Sequence, residues 1–291
     1  MEGLRALSAT SKIGDVLDAI KFEHTVFALP FAYISMVLAA GGWPGWWTVV
    51  WVTAAMAGGR TCAMAANRVI DRATDAANPR TANRHIPRGV LKAWQLSALA
   101  ATGAAVMLFA AWMLNPLCLA LAPIALVFLV GYSYTKYVTW TSHWILGFTD
   151  GIAAAGGWIA VTGAFGPPAF ALWFALTVWI AGFDLIYACQ DVDFDRAHGL
   201  HSVPAHFGVA AALTLARVNH ALTATALAVL GWMTGLGPLY WVGWCAIVAL
   251  LAYEHSLVRP DDLSRLGVAF FNVNGYIAVL ALASVLAGLA W

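Results

Sequence analysis

Two groups of acidic residues in this chain have a spacing that suggests chemistry. Asn67-Arg-Val-Ile-Asp71-Arg-Ala-Thr-Asp75 sets a carboxamide and two carboxylates at i, i+4 and i+8, which is one face of a helix. Asp184-Leu-Ile-Tyr187-Ala-Cys-Gln-Asp191-Val-Asp193-Phe-Asp195 does the same with Asp184, Asp191, Asp195 and Tyr187, while Asp193 points elsewhere. Asp71 and Asp191, and likewise Asp75 and Asp195, lie 120 residues apart. Carboxylates one turn apart repel each other, so something cationic should neutralise them. Oxygen donors without His or Cys suit Mg²⁺, which fills its octahedron with waters and substrate phosphates. Two such faces across a cavity would hold two ions bridging a diphosphate. The alternative is a set of solvated acids paired with Arg68, Arg72 and Arg196.

The cations nearby admit a matching role. Arg72, Arg80, Arg84 and Arg88 could grip phosphate oxygens bidentately, or could serve only to orient the chain in a membrane. Tyr132-Ser-Tyr-Thr-Lys136 brings Tyr132 and Lys136 to one face, and Lys136 is the only basic residue in its loop. Arg60 precedes Asn67 by seven residues, nearly on the same face but deeper. A guanidinium there needs a partner: a carboxylate such as Asp150 or Asp184, or the carboxylate of a substrate. Arg217 should snorkel to the aqueous face. His198, His201 and His206 lack zinc-site spacing and read as solvated loop residues. The four cysteines stand singly in apolar stretches and read as small core residues.

The elements that position these residues are apolar throughout. Of 291 residues 62% are hydrophobic and 10% charged, with a net charge of +1, against about 25% charged in soluble domains. That excludes a soluble enzyme, a nucleic-acid binder and a disordered chain. The sequence predicts an all-α polytopic membrane protein with nine spans, at 22–42, 46–70, 92–113, 117–134, 143–163, 169–190, 208–233, 238–258 and 268–290. Thirteen of the fifteen Lys and Arg fall on one side of that layout. By the positive-inside rule this face, with the N-terminus and the connections 71–91 and 191–207, is cytoplasmic. The acidic motifs end the second and sixth spans, as two four-helix pseudo-repeats plus one further helix would place them. Residues 1–21 carry no secretory signal and form an amphipathic segment suited to the membrane interface.

The chain resembles the UbiA superfamily of intramembrane aromatic prenyltransferases. The likeness rests on Asn67xxxAsp71xxxAsp75, on Asn78-Pro-Arg-Thr-Ala-Asn-Arg-His-Ile-Pro-Arg-Gly89, on Tyr132-Ser-Tyr-Thr-Lys136 and on Tyr187-Ala-Cys-Gln-Asp191-Val-Asp-Phe-Asp195. The opening Lys21-Phe-Glu-His-Thr-Val-Phe-Ala-Leu-Pro30 is most similar to the hydroxybenzoate branch, especially to members that prenylate a dihydroxynaphthoate on the way to menaquinone. The resemblance implies one transmembrane domain over 1–291, with nine helices around a central cavity and a lateral opening for a lipid tail. It implies Mg²⁺ held by Asn67, Asp71, Asp75, Asp191 and Asp195, with Asp71 and Asp191 catalytic. Lys136, Tyr132, Arg72, Arg80 and Arg84 would bind the diphosphate, and Arg60, Asp184 and Tyr187 the aromatic acid. The expected partners are a polyprenyl diphosphate, an aromatic acid and membrane lipid, in the inner membrane. Asp150 departs from the apolar or glycyl residue expected at its position.

A transporter with the acids lining its path is the alternative from another class. Clustering of the acids at one membrane face speaks against it, because transport sites lie near the midplane. CDP-alcohol phosphotransferases would need an Asp-xx-Asp-Gly-xx-Ala-Arg run, which the sequence lacks.

Overall fold

A computed structural model describes residues 25–290 together with Gly14, Asp18 and Ala19. The expected amphipathic segment 1–21 therefore lies largely outside the described residues. Among the described residues there is no strand, and the long helices are α1 (Thr25–Ala40), α2 (Trp46–Ile70), α3 (Ala93–Leu114), α4 (Pro116–Thr135), α5 (Ser142–Thr162), α6 (Pro167–Ala188), α7 (Val209–Met233), α8 (Pro238–Ser256) and α9 (Asn274–Ala290).

Apolar composition makes these segments helical, since a helix satisfies its own backbone where no water is present. Local chemistry then sets the ends. Asn115 caps α4, its side chain accepting from the Cys118 amide at 2.9 Å, with Pro116 in the first turn. Prolines likewise open α6 and α8. Gly163 ends α5 at φ 67°, a left-handed conformation that a Cβ would disfavour.

Seven helices among the described residues are long and apolar enough to cross a membrane: α2 to α5, α6 with its extension to Ala197, α7, and α9 with the turn before it. Seven of the nine expected spans meet that measure among the described residues. α1 is described over 16 residues, and the 19-residue α8 ends in Tyr253, Glu254 and His255, which dilute its apolar run.

Packing follows chain order and then closes. α2 lies against α3, α3 against α4, α4 against α5, and so on to α9, which returns to α1. Glycines allow the tightest approach: a Cβ on Gly103 would come within 2.6 Å of the Gly58 carbonyl oxygen. Small residues at such crossings are the usual route to close packing in lipid, where no hydrophobic force draws helices together. The main core lies between α6, α7, α8 and α9 and includes Leu176, Trp179, Leu213, Leu230 and Ile277. α6 is thereby held rigidly, and it carries the second acidic motif.

Candidate active site

The two acidic motifs face one cavity of about 390 Å³. Its wall includes Asn67, Asp71, Asp75, Tyr132, Lys136, Asp184, Tyr187, Asp191 and Asp195, with Arg60, Arg80 and Arg84. The shared chamber foreseen from the spacing is therefore present.

The first motif sits where α2 ends. Asp71 leaves the helix at φ −83°, ψ 0°, yet its amide still bonds the Asn67 carbonyl at 2.9 Å and the Asp75 amide bonds Asp71 at 2.7 Å. The i, i+4, i+8 stacking thus survives the break. Asp71 is 2% exposed and accepts from Lys136 Nζ at 2.6 Å, Tyr137 Oη at 2.9 Å and Asn67 Nδ2 at 2.9 Å. Asp75 is paired with Arg84 at 2.6 Å.

The second motif sits where α6 gives way to a 3₁₀ turn over Cys189–Asp191 and a short helix over Val192–Ala197. Arg80 grips Asp191 bidentately, Nε to Oδ1 at 2.9 Å and Nη2 to Oδ2 at 2.6 Å, and donates from Nη1 to Tyr187 Oη at 2.9 Å. Asn78 Nδ2 adds a third donor to Asp191 at 3.1 Å. Burial opposes charge on Arg80, but the Asp191 hydrogen bonds and the acids around it prevail and raise its pKa. Asp195 accepts from Ser202 at 2.7 Å. Asp184 is bonded instead to His143 Nδ1 at 2.7 Å, and His143 Nε2 faces the Val203 amide at 3.2 Å. Asp193 is exposed, as its register implied.

Arg60 and Asp150 lie 4.0 Å apart at the inner end of the chamber. They also line a second cavity of about 340 Å³, whose other walls are almost wholly apolar, among them Met56, Leu121, Phe128, Phe148 and Trp173. The polar chamber and the apolar cavity meet at this pair.

Arg72 is not brought to the chamber. It is exposed and donates from Nη1 to the Val69 carbonyl at 2.8 Å, because one residue past Asp71 on a helical path faces about 100° away. Conversely, Asn78, Tyr137, His143 and Ser202 hold the acids without having been assigned a role from spacing. Tyr137 adjoins Lys136, and its neighbourhood to Asp71 depends on the turn after α4. Burial pushes the Tyr137 phenol up to about 12, so it remains a hydrogen-bond donor. His143 and Asn78 lie far from their partners in sequence and gave no periodic signal, while Ser202 reaches Asp195, seven residues back, through the turn after the short helix.

All candidate ligands offer oxygen. Among the described residues no three His, Cys, Asp or Glu side chains converge as a preformed cage. The carboxylates are instead divided between two walls, each balanced by a cation. Such a donor set fits a hard divalent ion that takes one or two carboxylates and completes its shell elsewhere.

A family model described as the UbiA prenyltransferase family matches residues 28–290. The chain belongs to that family. It is 32% identical over 246 residues to the 4-hydroxybenzoate octaprenyltransferase of Cupriavidus necator, covering 82% of this chain and 84% of that one. Identity to the enzyme of the same name from Paraburkholderia phytofirmans is 30% over 240 residues, covering 81% and 82%. Among solved structures, a UbiA homolog from Aeropyrum pernix K1 superposes with a TM-score of 0.83 at 31% identity, covering 90% of this chain and 96% of that one. A UbiA homolog from Archaeoglobus fulgidus bound to GPP and Mg²⁺ shares the fold at a TM-score of 0.75 and 19% identity, covering 95% and 100%. This UbiA family member is a multi-pass membrane prenyltransferase, which the transporter alternative is not.

Proposed function

We propose that this UbiA family enzyme transfers a polyprenyl group from an allylic polyprenyl diphosphate to an aromatic acid, 4-hydroxybenzoate or a dihydroxynaphthoate, releasing pyrophosphate in quinone biosynthesis. One observation carries the reading: a chamber of acids and cations opens, at Arg60 and Asp150, onto an apolar cavity. A donor with a charged head and a hydrocarbon tail needs both environments side by side, with the reacting carbon at their junction. The names of the curated relatives support the aromatic acceptor, and the ligands of the Archaeoglobus neighbour support the donor class.

Asn67, Asp71, Asp75, Asp191 and Asp195 would hold Mg²⁺. Bound there, the ion would draw charge from the leaving diphosphate. Lys136, Arg80 and Arg84 supply positive charge beside the same group. Tyr132 lines the wall below it. The apolar cavity keeps water from the allylic cation. Arg60 presents a buried Nε with no partner in the described structure, and this donor suits the acceptor's carboxylate; Asp184 and Tyr187 flank the ring. Holding the ring against the allylic carbon is then the main work of the deeper residues.

We also read α1 and α8 as crossings, which gives nine spans in one unit over 1–291, with the acidic motifs four helices apart as in a duplicated module. The basic face would be the cytoplasmic face of the inner membrane.

The test is an assay in membranes offering 4-hydroxybenzoate and a dihydroxynaphthoate with a panel of polyprenyl diphosphates, with and without Mg²⁺. Prenylated acid and pyrophosphate should appear together and only with the metal. Solute uptake without either product would sink the reading.

A further inference from the structure

The stretch before α9, Val268–Val273, is a π-helix. Such wide turns are rare and tend to mark functional positions, because they re-aim side chains that a regular helix would place elsewhere. Here the re-aimed residues are Phe270 and Phe271, both of which line the polar chamber. The Phe270 ring stacks on Tyr187 at 4.1 Å between centroids and 30° between planes, and packs edge-on against Phe183 at 5.4 Å.

What holds this turn open lies outside the chamber. Asn274 is 1% exposed and Glu254 0%, and neither lines the chamber. The Asn274 Nδ2 donates to Glu254 Oε1 at 3.0 Å and reaches the carbonyls of Ala269 and Phe270, each at 3.2 Å. A π-turn disturbs the usual helical pairing of its carbonyls, and a buried carbonyl left alone is costly. The carboxamide lies within reach of two carbonyls of the turn, and the Glu254 oxygen takes a further contact from the same nitrogen. An Asn inside an apolar helix, bonded to a Glu buried in the bundle, is unfavourable for the helix alone.

We infer that Glu254 and Asn274 are positioning residues for the chamber: they lock the π-turn, which seats Phe270 against Tyr187, which in turn holds Arg80 on Asp191. Tyr187 links the two ends of this relay, since its hydroxyl accepts from Arg80 while its ring bears on both Phe270 and the Arg80 guanidinium, 5.2 Å from the ring centroid. The kinetic part rests on the proposed function; the structural part does not.

The test uses the full chain in detergent micelles. Amide hydrogen exchange over residues 78–91 is read without ligand for wild type, Phe270→Leu, Asn274→Leu and the double variant. Turnover of geranyl diphosphate and 4-hydroxybenzoate with Mg²⁺ is read in parallel. Each single variant should speed exchange in that segment and raise the KM for geranyl diphosphate about fivefold. The double variant should be no worse than the worse single one, since both changes break one relay. Phe270→Tyr, which keeps the ring, should restore wild-type exchange. Unchanged exchange in Phe270→Leu overturns the inference, as do additive effects in the double variant. If Asn274→Leu fails to fold, Phe270→Leu alone decides. Absence of turnover in wild type would sink the functional reading, while exchange would still judge the relay.

Discussion

The two acidic motifs share a spacing, and the structure sets them in different surroundings. Asp71 draws its partners from the nearby α2 and α4: Asn67 one turn back, and Lys136 and Tyr137 at the end of α4. Asp191 takes Arg80 and Asn78, both from the connection that follows the first motif. The second motif is therefore organised by the first motif's loop, with no reciprocal dependence visible among these bonds. Equal spacing thus conceals an asymmetry: Asp71 is held by its own helix and by the end of α4, whereas Asp191 is held by the connection that follows the first motif.

Substitutions can break or sharpen that contrast. The largest losses should come from Asp71→Ala and Asp191→Ala, each below a tenth of wild-type turnover at saturating Mg²⁺, or ~1.4 kcal/mol and more of transition-state stabilisation. Normal membrane insertion should accompany both, and near-normal turnover would exclude metal binding by the residue lost. Next, Arg80→Ala should cost more than Lys136→Ala, since it frees Asp191, Tyr187 and the loop together. We expect roughly tenfold against severalfold in kcat/KM for the prenyl diphosphate, about 1.4 kcal/mol for the larger. A reversed order would remove the asymmetry.

Arg60→Ala should raise the KM of the aromatic acid about tenfold and that of the donor far less; equal changes would end its assignment as the acceptor's anchor. Tyr137→Phe should cost about threefold, the low end for one net hydrogen bond, because Lys136 and Asn67 still serve Asp71. The Tyr137 pKa is raised from 10.0 to about 12, so the phenol is protonated below pH 10 in folded and unfolded chains alike. Its contribution is fully present there and is lost only as pH rises through 12, so the loss in Tyr137→Phe should not vary with pH below 10. Smallest of all, Arg72→Ala should change kcat/KM by less than about twofold, because its side chain faces away from the chamber.

Much of this architecture could be read along the chain. Apolar runs of membrane-spanning length, punctuated by Pro and Gly, located the helices, because lipid leaves the backbone few alternatives. Helical periodicity brought Asp71 with Asp75, and Asp184 with Tyr187, Asp191 and Asp195, to common faces, and rightly turned Asp193 away. Periodicity was set aside for Arg72, whose charge and neighbourhood suggested phosphate binding although a position one past Asp71 faces outward. It was also silent about His143 on Asp184 and Phe270 on Tyr187, since no repeat relates residues that meet only through packing.

The order of apolar and acidic residues by itself determined a helical membrane protein with two carboxylate faces, because burial and the 3.6-residue turn act on neighbours in sequence. Only the tertiary structure decided which cation sits on which carboxylate, that Arg60 meets Asp150 where the two cavities join, and that a wide turn before α9 aims Phe270 at Tyr187. Those pairings depend on how helices far apart in the chain come to lie side by side, and that is fixed by packing rather than by spacing.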